Sequence, residues 1–276
     1  MLGAVIGDYV GSVYEMKGKR IKTVDFPLFS DGCWFTDDTM MTAAVAKWLH
    51  DDYRHGKDSL VKSMVDIANE YRSVSDGYGG MFRKWLFEPE NGIRAPYNSY
   101  GNGSAMRVSP VAMMLDDLDD ILDVAKISAE VTHNHPEGIK GAQAVAHAIY
   151  LANSGEDKDE IYATIKNLYY PDMPESCKQI RPSYKFDSSC QGSVPQAIAA
   201  FLDSHDFESA IRNAVSLGGD ADTQACIAGS IAEAYYKYSI PDYIIEKVVD
   251  EIPQGILDII NYEYEPQGLS FSKINS

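Results

Sequence analysis

The chain has 276 residues, 45% of them hydrophobic, and a formal net charge of -17. This length can bury a substantial core, and because the apolar residues are spread evenly we expect one domain rather than two. A protein this acidic is not expected to bind nucleic acid as its main partner, since contacts to phosphates need a basic surface. No apolar run approaches the roughly 20 residues that cross a bilayer, so no membrane span is expected.

The ends of the chain and its cysteines favour a protein of the reducing cytoplasm. The N-terminus has no basic region and only a short apolar stretch, which is not typical of a secretory signal. The four cysteines form no CxxC pair, which argues against a zinc ribbon and against a disulfide framework. We therefore expect a monomer with a single domain over residues 1–266 and a polar C-terminal tail over 267–276.

Apolar residues recur at helical spacing along most of the chain, which predicts an all-α fold. The glycines and Asp8 of the N-terminal segment suggest a helix that starts inside the domain. Residues 36–52 show an amphipathic pattern, and Pro136 and Gly155 bracket another. The predicted helices after the N-terminal one cover residues 36–52, 60–71, 105–115, 139–149, 195–202, 207–215, 223–238 and 243–252.

Two segments depart from the helical pattern. Residues 21–29 alternate between apolar and polar, which suggests a strand that Pro27 interrupts. Residues 170–192 contain three prolines and show no period. A structureless loop of that length inside a compact domain is usually functional or disordered, so we predict a long loop there.

Two clusters of carboxylates stand at predicted helix N-termini: Phe35-Thr36-Asp37-Asp38-Thr39 and Gly218-Gly219-Asp220-Ala221-Asp222-Thr223. Capping would explain one acid at each helix, because Asp and Thr accept hydrogen bonds from the first turn. A cap needs only one side chain, however, and each cluster offers two carboxylates and a hydroxyl. Hard oxygen donors suit magnesium or manganese rather than zinc. If the clusters converge, their repulsion requires cations, which two divalent ions would supply.

A tight turn rich in small residues precedes the predicted helix at 105–115. Backbone N–H groups of such a turn can bind an anion, although an ordinary turn would have the same composition. His133 and His135 could suggest a His-x-His metal site, but sites built from hard oxygen ligands rarely recruit imidazole. His147 has no such context and is interpreted as structural.

Five segments, in the same order along the chain, resemble motifs of the ADP-ribosylglycohydrolases, which include the dinitrogenase reductase-activating glycohydrolases and the ADP-ribosyl-acceptor hydrolases. The resemblance runs from the first residues to about Tyr236. The segments are Gly3-Ala4-Val5-Ile6-Gly7-Asp8-Tyr9-Val10-Gly11-Ser12 with Glu15 following, Phe35-Thr36-Asp37-Asp38-Thr39, Ser99-Tyr100-Gly101-Asn102-Gly103-Ser104-Ala105-Met106-Arg107, Thr132-His133-Asn134-His135-Pro136 and Gly218-Gly219-Asp220-Ala221-Asp222-Thr223.

The resemblance implies a compact orthogonal multi-helix domain and hydrolysis of the glycosidic bond at C1″ of the distal ribose of ADP-ribose joined to an acceptor. The implied metal ligands for two Mg²⁺ or Mn²⁺ ions are Thr36, Asp37, Asp38, Asp220, Asp222 and Thr223. Asp37, Asp38 or Glu15 would be the base that activates water. The implied substrate-binding residues are Gly101, Asn102, Gly103, Ser104, His133 and His135, with one of the two histidines touching the ligand.

Two other functions fit the same residues. Dinuclear carboxylate sites also cleave phosphate esters, so a metal-dependent phosphoesterase acting on a nucleotide is one alternative. A relative that binds ADP-ribose without catalysis is the other. The acceptor, whether arginine, serine, an acetyl ester, a polymer linkage or a nucleic-acid base, depends on loops such as 170–192, whose shape the sequence does not give.

Overall fold

One helix, Ala221–Tyr235, runs through the middle of the protein, and every residue from Ala221 to Ala234 is buried. A helix that is enclosed on all sides needs neighbours on every face, and other helices provide them here. This architecture comes from a computed structural model that describes residues 1–53, 56–73, 77–237, 239–264 and 270–273.

Fifteen α-helices are found within those ranges. They are α1 (Leu2–Glu15), α2 (Asp37–Asp52), α3 (Lys57–Glu70), α4 (Gly80–Phe87), α5 (Gly103–Met106), α6 (Ser109–Met114), α7 (Leu118–Glu130), α8 (Pro136–Ser154), α9 (Lys158–Leu168), α10 (Cys177–Ile180), α11 (Cys190–Leu202), α12 (Phe207–Val215), α13 (Ala221–Tyr235), α14 (Asp242–Glu251) and α15 (Gln254–Tyr264). The central α13 packs against α1, α8, α11 and α12.

The first helix lies unusually close to α13 because glycine recurs on one of its faces. A Cβ atom added to Gly3 would lie 2.3 Å from the carbonyl oxygen of Gly229, and one added to Gly7 would lie 2.1 Å from that of Ala225. A Cβ at Gly11 would lie 2.4 Å from the Cα atom of Asp222. Only glycine permits this approach, which brings the C-terminal half of α1 beside the N-terminus of α13.

The all-α prediction is confirmed, and most predicted helices occur with small shifts of their ends. The segment predicted as 105–115 is divided into α5 and α6. The predicted 223–238 helix ends at Tyr235, and Tyr238 lies outside the described residues. Gly155 ends α8 in the left-handed conformation, with φ of 87°, as its position predicted.

The strand suggested for residues 21–29 is wrong, because that segment is a chain of bends. Its carbonyl groups bond to side chains instead of a neighbouring strand. Arg212 Nη1 donates to the carbonyl oxygen of Phe26 at 2.7 Å, and Tyr14 Oη donates to that of Pro27 at 2.8 Å. The prediction of a structureless loop at 170–192 is also wrong in part, since α10 lies within it and α11 begins at Cys190.

A single cluster of buried apolar side chains extends from Leu2 to Tyr264, and the single domain over 1–266 stays a prediction. Of the expected tail, residues 270–273 are described, and Phe271 is tied to Asn261 by two hydrogen bonds of 2.8 Å. The four cysteines carry no disulfide. Across the described residues, no helix combines the length and the apolar character that a membrane crossing requires.

Candidate active site

A cavity of about 320 Å³ opens above the place where α1, α2 and α13 meet. Five acidic side chains from the ends of these helices line it: Glu15, Asp37, Asp38, Asp220 and Asp222. Another side of the cavity includes Gly101, Asn102, Gly103 and His133. The structure therefore brings together the two acidic clusters and the glycine-rich turn, which are far apart in the sequence.

Asp8 is the acid beneath this cavity that the sequence analysis did not select. It is fully buried on α1, and both of its carboxylate oxygens accept hydrogen bonds. Oδ2 accepts from the backbone N–H groups of Thr36 at 2.9 Å and of Thr39 at 3.0 Å, and Oδ1 accepts from the Thr36 hydroxyl at 2.7 Å. Asp8 thus fixes the start of α2 from a different helix.

The acids at the start of α2 have different surroundings. Asp38 Oδ2 accepts from the Thr223 hydroxyl at 3.3 Å and lies 3.4 Å from Thr36 Oγ1, whose proton is donated to Asp8, whereas Asp38 Oδ1 is buried and has no hydrogen-bond partner among the described residues. Asp37 faces the cavity, and Gly77 packs directly against it. A Cβ atom on Gly77 would lie 2.4 Å from Asp37 Oδ1.

The acids at the start of α13 connect the floor of the cavity to its opposite wall. Asp220 Oδ2 accepts a hydrogen bond of 2.8 Å from Asn102 Nδ2, and Asn102 also donates to Ser193 Oγ at 3.2 Å. Asp222 Oδ1 accepts from the backbone N–H of Thr223 at 2.8 Å. Asn102 therefore holds an acid of the floor while belonging to the turn predicted to bind substrate.

The carboxylates form two groups of three that share one member. In one group, oxygen atoms of Asp8, Asp38 and Asp222 lie within 4.8 Å of one another. In the other, oxygen atoms of Glu15, Asp220 and Asp222 do the same. Asp222 belongs to both groups, which is the arrangement expected of a residue that bridges two adjacent cations.

Crowding makes these groups difficult to ionise. Burial raises the pKa of Asp8 to about 6, although the hydrogen bonds from Thr39 and Thr36 act in the opposite direction. Burial followed by repulsion from neighbouring carboxylates raises the pKa of Glu15 to about 7 and that of Asp37 to about 8. The same causes place the pKa values of Asp38 and Asp222 well above the usual range. A positive charge among them would reverse this effect.

The donor set fits Mg²⁺ or Mn²⁺. The acidic side chains of the lining offer carboxylate oxygens, which are the ligands that these ions prefer. Asp38 Oδ1 is a buried carboxylate oxygen without a hydrogen-bond partner among the described residues. Such an atom destabilises the folded state unless a ligand binds to it. Thr223 Oγ1 lies beside Asp38, whereas Thr36 Oγ1 already donates to Asp8 and its side chain is not part of the cavity lining.

The glycine-rich turn forms part of the wall, although not through φ angles that only glycine adopts. Neither Gly101 nor Gly103 has a positive φ. The N–H groups of Gly101 and Asn102 already donate, to Ser99 Oγ at 3.1 Å and to the carbonyl oxygen of Ser188 at 2.8 Å. Ser104 is buried behind the wall and donates to the carbonyl oxygen of Gly138.

The two predicted histidines have different positions. His133 lines the cavity and is 5% exposed. Burial, and then the nearby Arg107 guanidinium, lowers the pKa of His133 well below its usual value, so the ring is neutral. His135 is the N-cap of α8, where its Nδ1 accepts from the N–H of Glu137 at 3.1 Å, and it is not part of the cavity lining.

Several lining residues were outside the sequence prediction. They are Gly77, Gly79, Gly80, Met81, Phe82, Tyr97, Ser99, Met106, Arg107, Phe186 and Ser188. The glycines of residues 77–80 were a visible signal, because three glycines in four positions just before a helix permit close approach to a ligand. Phe186 and Ser188 come from the 170–192 segment, so part of that segment lines the cavity.

Comparison with known proteins agrees with this geometry. The family model described as ADP-ribosylglycohydrolase matches residues 1–268. The chain is 30% identical to ADP-ribosylhydrolase ARH3 of Gallus gallus, over 86% of this chain and 84% of the relative. It is also 30% identical to ADP-ribosylarginine hydrolase Tri1 of Pseudomonas putida, over 94% of this chain and 76% of the relative.

A solved structure gives the same fold. The protein titled "ADP-ribosylglycohydrolase-related protein complex" superposes with a TM-score of 0.69, covering 88% of each chain at 24% sequence identity. At that level of identity, the similarity supports the all-α architecture alone.

Proposed function

This chain belongs to the ADP-ribosylglycohydrolase family of glycosyl-bond hydrolases, and we propose that it is a metal-dependent enzyme that cleaves the bond at C1″ of the distal ribose of ADP-ribose attached to a protein or another acceptor. The observation that carries this proposal is the pair of three-carboxylate groups that share Asp222 at the bottom of the cavity. Capping and packing do not require five acids in so small a volume.

The chemistry at C1″ explains why carboxylates at the bottom of the cavity would favour the reaction. Cleavage of a glycosidic bond passes through an oxocarbenium-like state, whose positive charge nearby carboxylates stabilise. Two divalent cations held by Asp8, Asp37, Asp38, Asp220 and Asp222 would orient the ribose hydroxyls and activate a water molecule. Asp8 and Asn102 position the acids on either side through their hydrogen bonds to Thr36 and to Asp220.

One of the three proposed bases is more accessible than the other two. All three line the cavity, but Asp37 and Asp38 are buried, whereas Glu15 is partly exposed. A base must reach the water from which it takes a proton. We therefore assign the removal of that proton to Glu15, while Asp37 and Asp38 stabilise charge on the floor.

The opposite wall suits the rest of the substrate. Its groups are mostly neutral and polar, from Ser99, Asn102, His133 and Ser188, with the buried cation of Arg107 behind them. Donors and a cation on that side offset the repulsion that the acidic floor exerts on a pyrophosphate. We propose that the turn at 99–104 holds ADP-ribose against this wall.

The test is a panel of substrates in which ADP-ribose is joined to arginine, serine, an acetyl ester, a polymer or a nucleic-acid base. Each is incubated with Mg²⁺, Mn²⁺ or EDTA, and the products are separated. Release of intact ADP-ribose that needs a divalent cation is expected. AMP as the product would identify a phosphoesterase, and ADP-ribose binding without turnover at excess Mg²⁺ would identify a non-catalytic relative.

A further inference from the structure

The ring of His133 is hydrogen-bonded on one side only. Its Nδ1 lies 2.7 Å from Thr132 Oγ1. Its Nε2 has no hydrogen-bond partner among the described residues and faces the glycine-rich turn, since it would lie 3.2 Å from a Cβ on Gly103 and 3.5 Å from one on Gly101. Since Gly101, Gly103 and His133 all line the cavity, Nε2 is the ring nitrogen beside the glycine-rich part of its wall.

The neighbours of Thr132 determine which way its hydroxyl proton points. Thr132 is fully buried, and its Oγ1 accepts a hydrogen bond of 2.9 Å from Arg107 Nη2. A threonine hydroxyl has one proton to donate. Within the described residues, His133 Nδ1 is the one acceptor bonded to that oxygen, and a buried hydroxyl without an acceptor is costly. The proton therefore points to Nδ1.

Arg107 is fixed as firmly as Thr132. It is fully buried, and its Nη2 also donates to the carbonyl oxygen of Ser128 at 2.7 Å. A guanidinium has no acceptor, so its bond to Thr132 runs in one direction only. Its positive charge beside the imidazole also opposes protonation of the ring, which stays neutral.

From these contacts we infer that Arg107 and Thr132 are positioning residues that fix His133 as the Nε2–H tautomer, and that this N–H donates a hydrogen bond to an oxygen atom of bound ADP-ribose. The assignment of the ligand rests on the proposed function. The assignment of the tautomer rests on the three side chains alone. A neutral imidazole has one donor and one acceptor, and the bond to one nitrogen decides the state of the other.

The tautomer can be observed directly in the protein without substrate. Long-range ¹H–¹⁵N correlation spectra distinguish protonated from unprotonated ring nitrogens, and His133→Gln identifies the resonances of His133 among the six histidines. Wild-type protein is expected to show an unprotonated Nδ1 and a protonated Nε2. Thr132→Ser, which keeps the hydroxyl, is expected to give the same pattern. Thr132→Val removes it and should populate both tautomers.

Calorimetric titration with ADP-ribose tests the consequence. Thr132→Val should bind about twofold more weakly if the two tautomers become equally populated, because only the Nε2–H form can donate to the ligand, and Thr132→Ser should bind like wild type. A melting temperature near that of wild type shows that each variant is folded. An Nδ1–H tautomer or an imidazolium in the wild-type protein would overturn the inference. So would a Thr132→Val protein with unchanged spectra and affinity.

Failure of the proposed function has a different signature. If the wild-type protein did not bind ADP-ribose in the presence of Mg²⁺, the ligand assignment would be overturned together with that function. The spectra would still decide the tautomer, since they are recorded without substrate.

Discussion

The N-termini of α2 and α13 have similar sequences, each with two acids and a threonine, but their first turns are completed in different ways. At α2, the Thr36 hydroxyl accepts from the N–H of Asp38, and Asp8 of α1 accepts from two further N–H groups. At α13, the Asp220 side chain makes no capping hydrogen bond and accepts instead from Asn102.

Because of this difference, the residues that hold each helix N-terminus are not the same as the acids that face the cavity. The N-terminus of α2 is held by Asp8, an acid from another helix, which leaves Asp37 to face the cavity. The N-terminus of α13 is held through the hydrogen bond between Asp220 and Asn102, a residue of the turn predicted to bind substrate. A substitution at the N-terminus of α2 should therefore affect stability and metal binding. A substitution at the N-terminus of α13 should also affect the affinity for ADP-ribose.

The largest effect is expected from Asp222→Asn, because Asp222 belongs to both carboxylate groups. Loss of even an outer-shell partner of a metal can reduce metal affinity or activity by about 10- to 100-fold. Substitution of Asp222, which the two groups share, should therefore reduce the rate of hydrolysis by more than about 100-fold. The Mg²⁺-induced rise in melting temperature should disappear as well. Differential scanning calorimetry and the hydrolysis assay measure both.

Asp117→Asn is the matched control. Asp117 is an exposed acid that caps α7 by accepting from the N–H of Asp120 at 3.1 Å. Asn caps a helix about as well as Asp, so this variant should keep the activity and the response to Mg²⁺. If Asp222→Asn behaved in the same way, the shared carboxylate would be no more than a cap.

The next effect concerns pH in the absence of metal. The pKa values of Asp8, Glu15 and Asp37 rise to about 6, 7 and 8 in the folded protein, from 3.8 for Asp and 4.5 for Glu. The folded state then binds more protons than the unfolded state, so the free energy of unfolding falls as the pH rises from about 4 to 8. In EDTA, the melting temperature should be higher at pH 5.5 than at pH 8.

Added Mg²⁺ should act most strongly at the alkaline end of that range, since protons compete with the metal for the carboxylates. At about 100 times its dissociation constant, a ligand of the native state adds about 2.7 kcal/mol. For a chain of this size, this corresponds to a rise of about 5 to 10 °C at pH 8. A melting temperature in EDTA that rises with pH would contradict the proposed crowding of the acids.

A smaller effect should distinguish Asp8 from Asp37. Asp8 Oδ2 accepts from two backbone N–H groups, which can only donate, so the NH₂ group of Asn would have to face the Thr36 hydroxyl. That hydroxyl would either turn away from residue 8 or leave the NH₂ group without an acceptor. An unsatisfied buried donor costs about 1 to 3 kcal/mol, and Asp8→Asn should melt lower in EDTA. Asp37→Asn removes a repelled charge and should not destabilise the protein. Both variants should lose the response to Mg²⁺.

Equal melting temperatures for the two variants in EDTA would show that Asp8 does not hold α2 in the way its hydrogen bonds indicate. Asp51→Asn, at an exposed position near the other end of α2, provides the reference for the loss of one surface carboxylate. It should keep the response to Mg²⁺.

Local patterns predicted the helices well, because the apolar period reports which face of a helix is buried. The helices α4, α7, α9, α10 and α15 were not predicted, although Asp117 and Asp157 stand at the N-caps of α7 and α9. The strand suggested at 21–29 failed for another reason. Its carbonyl groups are bonded by Arg212 and Tyr14, and no local pattern reveals such tertiary contacts.

The sequence also predicted which acids line the cavity, but not the residues that hold them. Asp8 looked like one polar position in an apolar helix, although a buried acid is rare enough to suggest a partner. Asn102 was predicted as a substrate residue, and its bond to Asp220 depends on the packing of α5 near α13. Gly77 had no assigned function, since its contact with Asp37 exists only in the folded chain.

The smallest expected effect tests that last contact and compares two glycines of one loop. A Cβ on Gly77 would lie 2.4 Å from Asp37 Oδ1, whereas one on Gly79 would have no atom within 4 Å. Neither residue has a positive φ, so the difference between Gly77→Ala and Gly79→Ala is one of space alone. Gly77→Ala must displace the Asp37 carboxylate and should weaken Mg²⁺ binding about tenfold, as loss of an outer-shell contact does. Gly79→Ala should keep the wild-type response to Mg²⁺, measured as the melting temperature over a titration. Equal responses in the two variants would mean that Asp37 does not need its present position, and the start of α2 would then contribute to the metal centre through Asp38 alone.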